Sequence, residues 1–225
     1  MHIHKQISAE KYGKSQISRG DFLKTLGLAM AGGVIIGGCG GGSGSGGSRS
    51  SAKITMTMEG DYLFLHLAGS GVATVDWGDG SEVISRTLSE FDFTTGGGVE
   101  FEHRYHNSTI RTITINGDNI TFLNTGDISS LDVSRCAELT VLLCGGSRAS
   151  YDRSGQLTRL DVSKNTALTL LGCNNSQLTS SALNALFRTL HSNQGEKNIY
   201  INGNPGTNDS DRSIAERKGW TVHWQ

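Results

Sequence analysis

Two periodicities run through this 225-residue chain and divide it. Between residues 53 and 118 the period is two. Ile54-Thr55-Met56-Thr57-Met58 alternates apolar with threonine, as a half-buried strand does, and Tyr62 to Leu67 is a second strand. Val75-Asp76-Trp77-Gly78-Asp79-Gly80-Ser81 then predicts a tight turn, because Gly78 and the Asp79-Gly80 pair supply the positive φ that a hairpin needs. Beyond Asn119 the pattern becomes an aliphatic residue, two others, an aliphatic residue, one other, and a small residue. It fits Ile120-Leu123-Thr125, Ile128-Leu131-Val133, Leu139-Leu142-Cys144, Leu157-Leu160-Val162 and Leu168-Leu171-Cys173, with Leu178 opening a possible sixth turn. The starts are 8, 11, 18, 11 and 10 residues apart, and with the odd turns set aside the two-turn period is about 21, in the range of leucine-rich repeats. Each segment is long enough for one short strand whose alternate residues point inward, and too short to bury them alone. Stacking is what creates the core.

The chain ends in a different pattern. Leu183, Leu186, Phe187 and Leu190 sit at i, i+3, i+4 and i+7, which predicts an amphipathic helix over Ser180 to His191 with Ser180 or Ser181 as its cap. A strand at Ile199-Tyr200-Ile201, a turn at Asn202 to Gly206, a short helix at Asp211 to Lys218 and a strand at Thr221 to Trp224 follow. They close the open end of the coil, as a stacked repeat requires.

The first residues follow neither period. Lys5, Lys11, Lys14, Arg19 and Lys24 precede the uncharged run Thr25 to Gly38, a charged region before an apolar one, as in an export signal. At 14 residues that run is shorter than the ~20 a spanning helix needs. Gly40 to Ser51 holds only Gly, Ser and Arg49, a flexible coil with a reach of ~20 Å. The net charge is −1, and residues 1–39 carry +3 of it, so the remainder is at −4. A mildly acidic body argues against nucleic acid as a partner.

Four stretches resemble known families. Ile36-Gly37-Gly38-Cys39 resembles the bacterial lipoprotein lipobox, which implies a lipid on Cys39 and a cell-envelope location, at the outer membrane or cell surface. Ser18-Arg19-Gly20-Asp21-Phe22-Leu23-Lys24 is similar to the twin-arginine export motif, with Gly20 where the second arginine belongs. Trp77-Gly78-Asp79-Gly80-Ser81, with His103-Arg104-Tyr105 and Thr112-Ile113-Thr114-Ile115 further on, resembles PKD-type immunoglobulin-like domains over about residues 53 to 117. It departs from them at Thr109-Ile110-Arg111, where a glycine-tyrosine pair is usual. Leu157 to Leu168 and Leu171-Gly172-Cys173-Asn174-Asn175 resemble bacterial leucine-rich-repeat surface lipoproteins, as do Ile201 to Gly206 and Gly219 to Val222 in their terminal cap. That likeness implies that Asn165 and Asn174 satisfy backbone groups inside the coil. Together these imply a mainly β protein with some α: a signal peptide at 1–39, a linker at 40–52, a PKD-like β-sandwich at 53–118, and at 119–225 a short, irregular leucine-rich-repeat solenoid with an α/β cap.

Candidate chemistry is sparse. Asp76, Asp79, His103 and His106 cluster around one turn, but calcium wants six to eight oxygens, and a turn carboxylate commonly bonds its own backbone. The expectation is structural: His103 packs against the turn and Trp77 fills the core. Cys144 and Cys173 hold the same slot two starts apart, which predicts Cα atoms ~10 Å apart, too far for a disulfide, and a role as small buried apolar residues. Cys136 sits in a connector as a free thiol. The absence of a Cys-x-x-Cys spacing speaks against structural zinc. Asp132 and Asp161, each after a strand leucine, are the best paired carboxylates and read first as exposed turn-makers.

The insertion Gly145 to Gln156 carries Arg148, Tyr151, Asp152 and Arg153, a candidate partner-binding loop, since insertions in repeat proteins collect on one face. Its plain alternative is a solvated excursion. No G-x-S-x-G or H-E-x-x-H motif occurs. The expectation is a non-catalytic binding or adhesion protein for an extracellular protein or glycan, with no metal or cofactor. The alternatives are a secreted or periplasmic hydrolase and a structural envelope protein with a partner in the same cell.

Overall fold

The computed structural model describes residues 52–92, 96–146 and 155–225. The chain is mainly β, and ten strands are hydrogen-bonded into one mixed sheet. The period-two stretch forms β1 (Ala52–Glu59), where Ile54, Met56 and Met58 are buried and Thr55 and Thr57 are half-buried on the opposite face. After β1 come β2 (Tyr62–Asp76), β3 (Ile84–Thr87), β4 (Phe91–Asp92), β5 (Gly96–Gly97), β6 (Val99–Arg104), β7 (Ile110–Thr125) and β8 (Ile128–Asp132). β4 and β5 pair only with each other.

β7 is central. It lies antiparallel to β1 from Ala52↔Gly117 to Glu59↔Ile110, and antiparallel to β2 along its other edge. β2 also carries β3 and β6, while β8 returns antiparallel to the far edge of β1. The β2–β7 register slips between Ala68 and Ala73. There Gly69 adopts φ +148°, and a Cβ on it would stand 1.9 Å from the Asn119 carbonyl oxygen, so only glycine lets the strands approach this closely.

The second half of β7 opens a parallel ladder: β7, then β9 (Val141–Leu143), β10 (Leu170–Gly172), β11 (Asn198–Tyr200) and β12 (Thr221–His223). Leu123, Leu142, Leu171, Ile199 and Val222 stand in one register column. The first four are wholly buried and Val222 packs against the same core. A buried aliphatic side chain is worth about 1.5–3 kcal/mol, and here each is buried by its neighbours in the column.

The ladder corrects the predicted spacing. Its central residues are 19, 29, 28 and 23 positions apart, because alternate pattern matches leave the ladder. Ile128-Leu131-Val133 falls in and just after β8, which pairs with β1, and Leu157-Leu160-Val162 forms no strand. Their aliphatic side chains nevertheless join the same core. β9 and β10 are therefore adjacent, and the ~10 Å expected between Cys144 and Cys173 is wrong: they follow the paired positions Leu143 and Gly172 on neighbouring strands, which lie about 4.8 Å apart. Both are free and buried, as is Cys136. Each rung was also expected to bury only alternate residues. Val141, Leu143 and Leu170 are instead 4–7% exposed, so β9 and β10 are apolar on both faces, as parallel strands commonly are.

Between rungs, buried amides hold the turns. Asn165, wholly buried, donates from Nδ2 to the carbonyls of Val133 (2.9 Å) and Cys136 (2.7 Å). Asn204, expected only as part of a turn, donates to the carbonyls of Cys173 (2.8 Å) and Ile201 (2.9 Å). Asn174 is buried, and it is its main-chain carbonyl that accepts from the Gly146 amide (3.0 Å), while the neighbouring Asn175 side chain donates to the Gly146 carbonyl (3.3 Å).

The amphipathic segment becomes α1 (Ser180–Thr189), burying Leu183, Leu186 and Phe187. Its N-cap is Thr179, one residue before the predicted serines, and the Thr179 hydroxyl accepts from the Ala182 amide at 3.2 Å. α2 (Ser213–Glu216) is shorter than predicted. Lys218 donates to the carbonyls of Arg188 and Leu190, satisfying the C-terminal end of α1.

The boundary placed between 118 and 119 falls inside β7, and one hydrophobic cluster runs from Ile54 and Trp77 to Ala215 and Trp220. Strands expected in a separate sandwich and in a separate solenoid share one sheet, because β7 belongs to both.

Replacing Asn165 by leucine strands two buried carbonyls. Asn165→Leu is expected to lower the unfolding free energy by about 2–4 kcal/mol in urea titrations; a loss under 0.5 kcal/mol, roughly the size of a surface substitution, contradicts the amide's bridging role.

Candidate functional site

Two constellations bring polar chemistry together. The first is the turn at Trp77 to Ser81. The Asp76 carboxylate accepts from the Gly78 amide (2.9 Å), and Asp79 Oδ1 accepts from the Ser81 amide (3.0 Å) and hydroxyl (2.6 Å). His103 Nε2 meets Asp79 Oδ2 at 2.8 Å, and its ring stacks on Trp77 with centroids 5.0 Å apart. Tyr105 meets the same imidazole edge-on and donates its hydroxyl to the Trp77 carbonyl (3.1 Å). Arg111, which sequence reasoning passed over, lies 4.1 Å over the Tyr105 ring and donates to the Thr109 carbonyl.

As expected, Trp77 is buried in the core and His103 packs on the turn; His106 is exposed in the bend after β6. The hydrogen bonds from Ser81, and then from His103, hold the Asp79 carboxyl well below the ordinary range. Ser81 gives its hydroxyl to the carboxylate and not to the imidazole, so the three are not wired as nucleophile, base and orienting acid. This is a clasp that fastens β6 to the end of β2.

The second constellation lies on the outer face of β1. Thr55 stands between Thr114 on β7 and Asp132 on β8, and Thr57 between Thr112 and Ser130. Because side chains alternate along a strand, these six polar groups share one face. They form a lattice with strands about 4.8 Å apart. Thr57 Oγ1 is hydrogen-bonded to the hydroxyls of Ser129 (2.9 Å) and Ser130 (2.6 Å).

The segment Arg159 to Asp161 forms a wall beside this lattice, leaving an open groove of about 310 Å³ with Met56, Leu131 and Leu160 also lining it. A second hollow of about 270 Å³ shares Leu131, Asp132 and Asp161 with the first and adds Ser134, Ser163 and Lys164. Asp132 and Asp161, singled out from sequence, thus line both hollows, and they do so by repetition. Leu131-Asp132-Val133-Ser134 recurs as Leu160-Asp161-Val162-Ser163. Asp132 accepts from the Ser134 amide at 2.9 Å and Asp161 from the Ser163 amide at 2.8 Å. Both are exposed turn-makers, as expected, and both also border a groove. Hydrogen bonds from Ser134 lower the Asp132 pKa, which makes this carboxylate an ionised acceptor, unlike a general acid, whose pKa must be raised.

The three described cysteines offer no nucleophile. Burial raises Cys136 to about 11 and Cys173 to about 12 and pushes Cys144 well up, so each is a neutral thiol at neutral pH. Cys144 points its thiol at the Gly172 carbonyl and Cys173 at the Tyr200 carbonyl.

Cys39, and Arg148, Tyr151, Asp152 and Arg153 of the insertion, lie outside the described residues. The ends of that insertion are pinned: the Gly146 amide donates to the Asn174 carbonyl (3.0 Å) and the Gly155 amide to the Asn175 carbonyl (2.9 Å). The groove was missed because Thr55, Thr57, Thr112 and Thr114 read only as the polar half of a strand alternation. The signal that finds it is the repeated Leu-Asp-Val-Ser, 29 residues apart. No family model matches the chain, and no curated protein or solved structure matches it.

The lowered Asp79 pKa makes the clasp stabilising above the unfolded carboxylate pKa near 4, with the contribution lost as pH falls toward the folded value. The difference in Tm between the wild type and Asp79→Asn is therefore expected to be present at pH 7 and to shrink steadily below about pH 4; a difference independent of pH contradicts the clasp.

Proposed function

We propose that the protein is a non-catalytic lipoprotein of a bacterial envelope that recognises an extracellular protein or glycan. The observation that carries this reading is the open groove on β1 and β8, walled by carboxylates, hydroxyls and an arginine, with the hydroxyls and Asp132 held in register by strand pairing. Recognition asks for such a shallow array of donors and acceptors on a rigid sheet. A hydrolase asks for a nucleophile beside a base, and the serine–carboxylate–histidine grouping found among the described residues, at Ser81, Asp79 and His103, is wired as a clasp.

The address comes from the N-terminal residues. A charged region, an apolar run and Ile36-Gly37-Gly38-Cys39 support lipidation at Cys39, and Gly40 to Ser51 supplies a tether long enough to hold the folded body off the membrane. In the finer fold reading, the antiparallel strands up to the first half of β7 are a PKD-like module, and the parallel ladder that β7 opens is a leucine-rich-repeat coil with its cap. The Trp77–His103–Tyr105 stack supports the first. The parallel ladder, with Asn165 and Asn204 bridging its turns, supports the second. The insertion at 145–156 is a second recognition element in this reading, fixed at both ends on the ladder.

Cys39→Ser is expected to move the protein from the membrane to the soluble fraction on cell fractionation; retention of the variant in membranes contradicts lipid anchoring.

A further inference from the structure

We propose that the groove formed by β1, β8 and the segment Arg159 to Asp161 is the binding site for an uncharged glycan. This rests on the recognition reading above and assigns it a site and a ligand class.

The first argument is the balance of charge. Taken together, the two hollows set Asp132 and Asp161, which line both, against Arg159 of the first and Lys164 of the second, so the whole site carries both signs without an excess of either. An anionic polymer would meet two carboxylates, and a cationic one two basic side chains. A neutral ligand rich in hydroxyls meets donors and acceptors alternately.

The second argument is the type of partner group. A sugar hydroxyl donates and accepts at once, and it pairs best with a carboxylate acceptor, a guanidinium donor or a side-chain hydroxyl that does both. Asp132, Asp161, Arg159, Thr55 and Ser130 supply all three kinds. Leu131, the half-buried aliphatic residue of the lining, suits the C–H face of a pyranose.

The third argument is rigidity and repetition. The hydroxyls stand on paired strands, and Thr57 ties Ser129 and Ser130 together, so little side-chain entropy remains to be lost on binding. The two Leu-Asp-Val-Ser turns present the same group twice in neighbouring positions along the two joined hollows. A repeating ligand matches a repeating site. A protein partner, by contrast, is usually anchored by buried aromatic or arginine side chains entering a pocket. The exposed large apolar residues among the described ones, Val72, Val83 and Ile110, are absent from the groove lining.

The test uses the full-length protein in detergent and, as probes, neutral hexaoses of glucose, N-acetylglucosamine, mannose and galactose, with a sulfated oligosaccharide as the charged comparison. Affinity is measured by calorimetry for wild type, Arg159→Ala and Asp161→Asn, and for a variant lacking Ser147 to Ser154. Melting curves confirm that each variant is folded. The expected result is saturable binding of at least one neutral hexaose, tenfold or more weaker in Arg159→Ala and in Asp161→Asn, and unchanged by the loop deletion. The proposal is overturned if no neutral hexaose binds, if only the sulfated probe binds, or if both groove variants bind as the wild type does. Loss of glycan binding on loop deletion alone, or binding to matrix proteins with no response to any hexaose, also overturns the groove assignment while leaving the broader recognition reading in place.

Discussion

A strand three residues long cannot hide its own side chains, and the whole C-terminal half of this protein is organised by that fact. Leu142, Leu171 and Ile199 each sit on such a strand and are wholly buried only because another rung lies on either side. The stack therefore needs a first rung that something else holds in place. β7 meets that need. Its first half is locked between β1 and β2, and its last residues, Phe122 to Asn124, present the template on which β9 pairs. At the other end, α1, α2 and β12 cover the last turns, with Lys218 reaching back to the carbonyls at the end of α1.

The groove follows from the same arrangement. Because β8 leaves the ladder to pair with β1, its polar face comes beside the threonines of β1. Because the following coil repeats the Leu-Asp-Val-Ser turn, a second carboxylate comes beside the first. The polar site is thus placed where the antiparallel sheet and the coil meet, and its groups are positioned by backbone pairing and by short turns rather than by long flexible loops. The aliphatic columns face the core, and the hydroxyl lattice faces out.

Much of this architecture was legible in the residues. The period-two stretch at Ile54 to Met58, the positive-φ glycines at 78 and 80, the amphipathic helix at 180 and the burial of nearly every aliphatic residue in the repeat pattern follow from local chemistry. What local chemistry does not carry is pairing between distant segments. That Ile128 to Val133 turns back to β1, while the next match stays on the ladder, depends on which edge is open when the chain arrives. The recurrence of one apolar pattern in every match hid it, and with it the adjacency of Cys144 and Cys173. The polar lattice was invisible for the same reason, since Thr55, Thr114 and Asp132 become neighbours only through two separate pairings. Asn204 was passed over because its sequence reads as a turn, whereas its amide does the same bridging as Asn165.

If β7 couples the two parts, a cavity made deep in the ladder must be felt in the antiparallel strands. Native-state hydrogen exchange on Leu171→Ala measures this directly, reading amide protection at β1 and β2 against that at β10 and β11. The account predicts that protection falls by the same free energy in both regions, as in one cooperative unit. Protection lost in β10 and β11 but unchanged in β1 and β2 would show two independent bodies and contradict it.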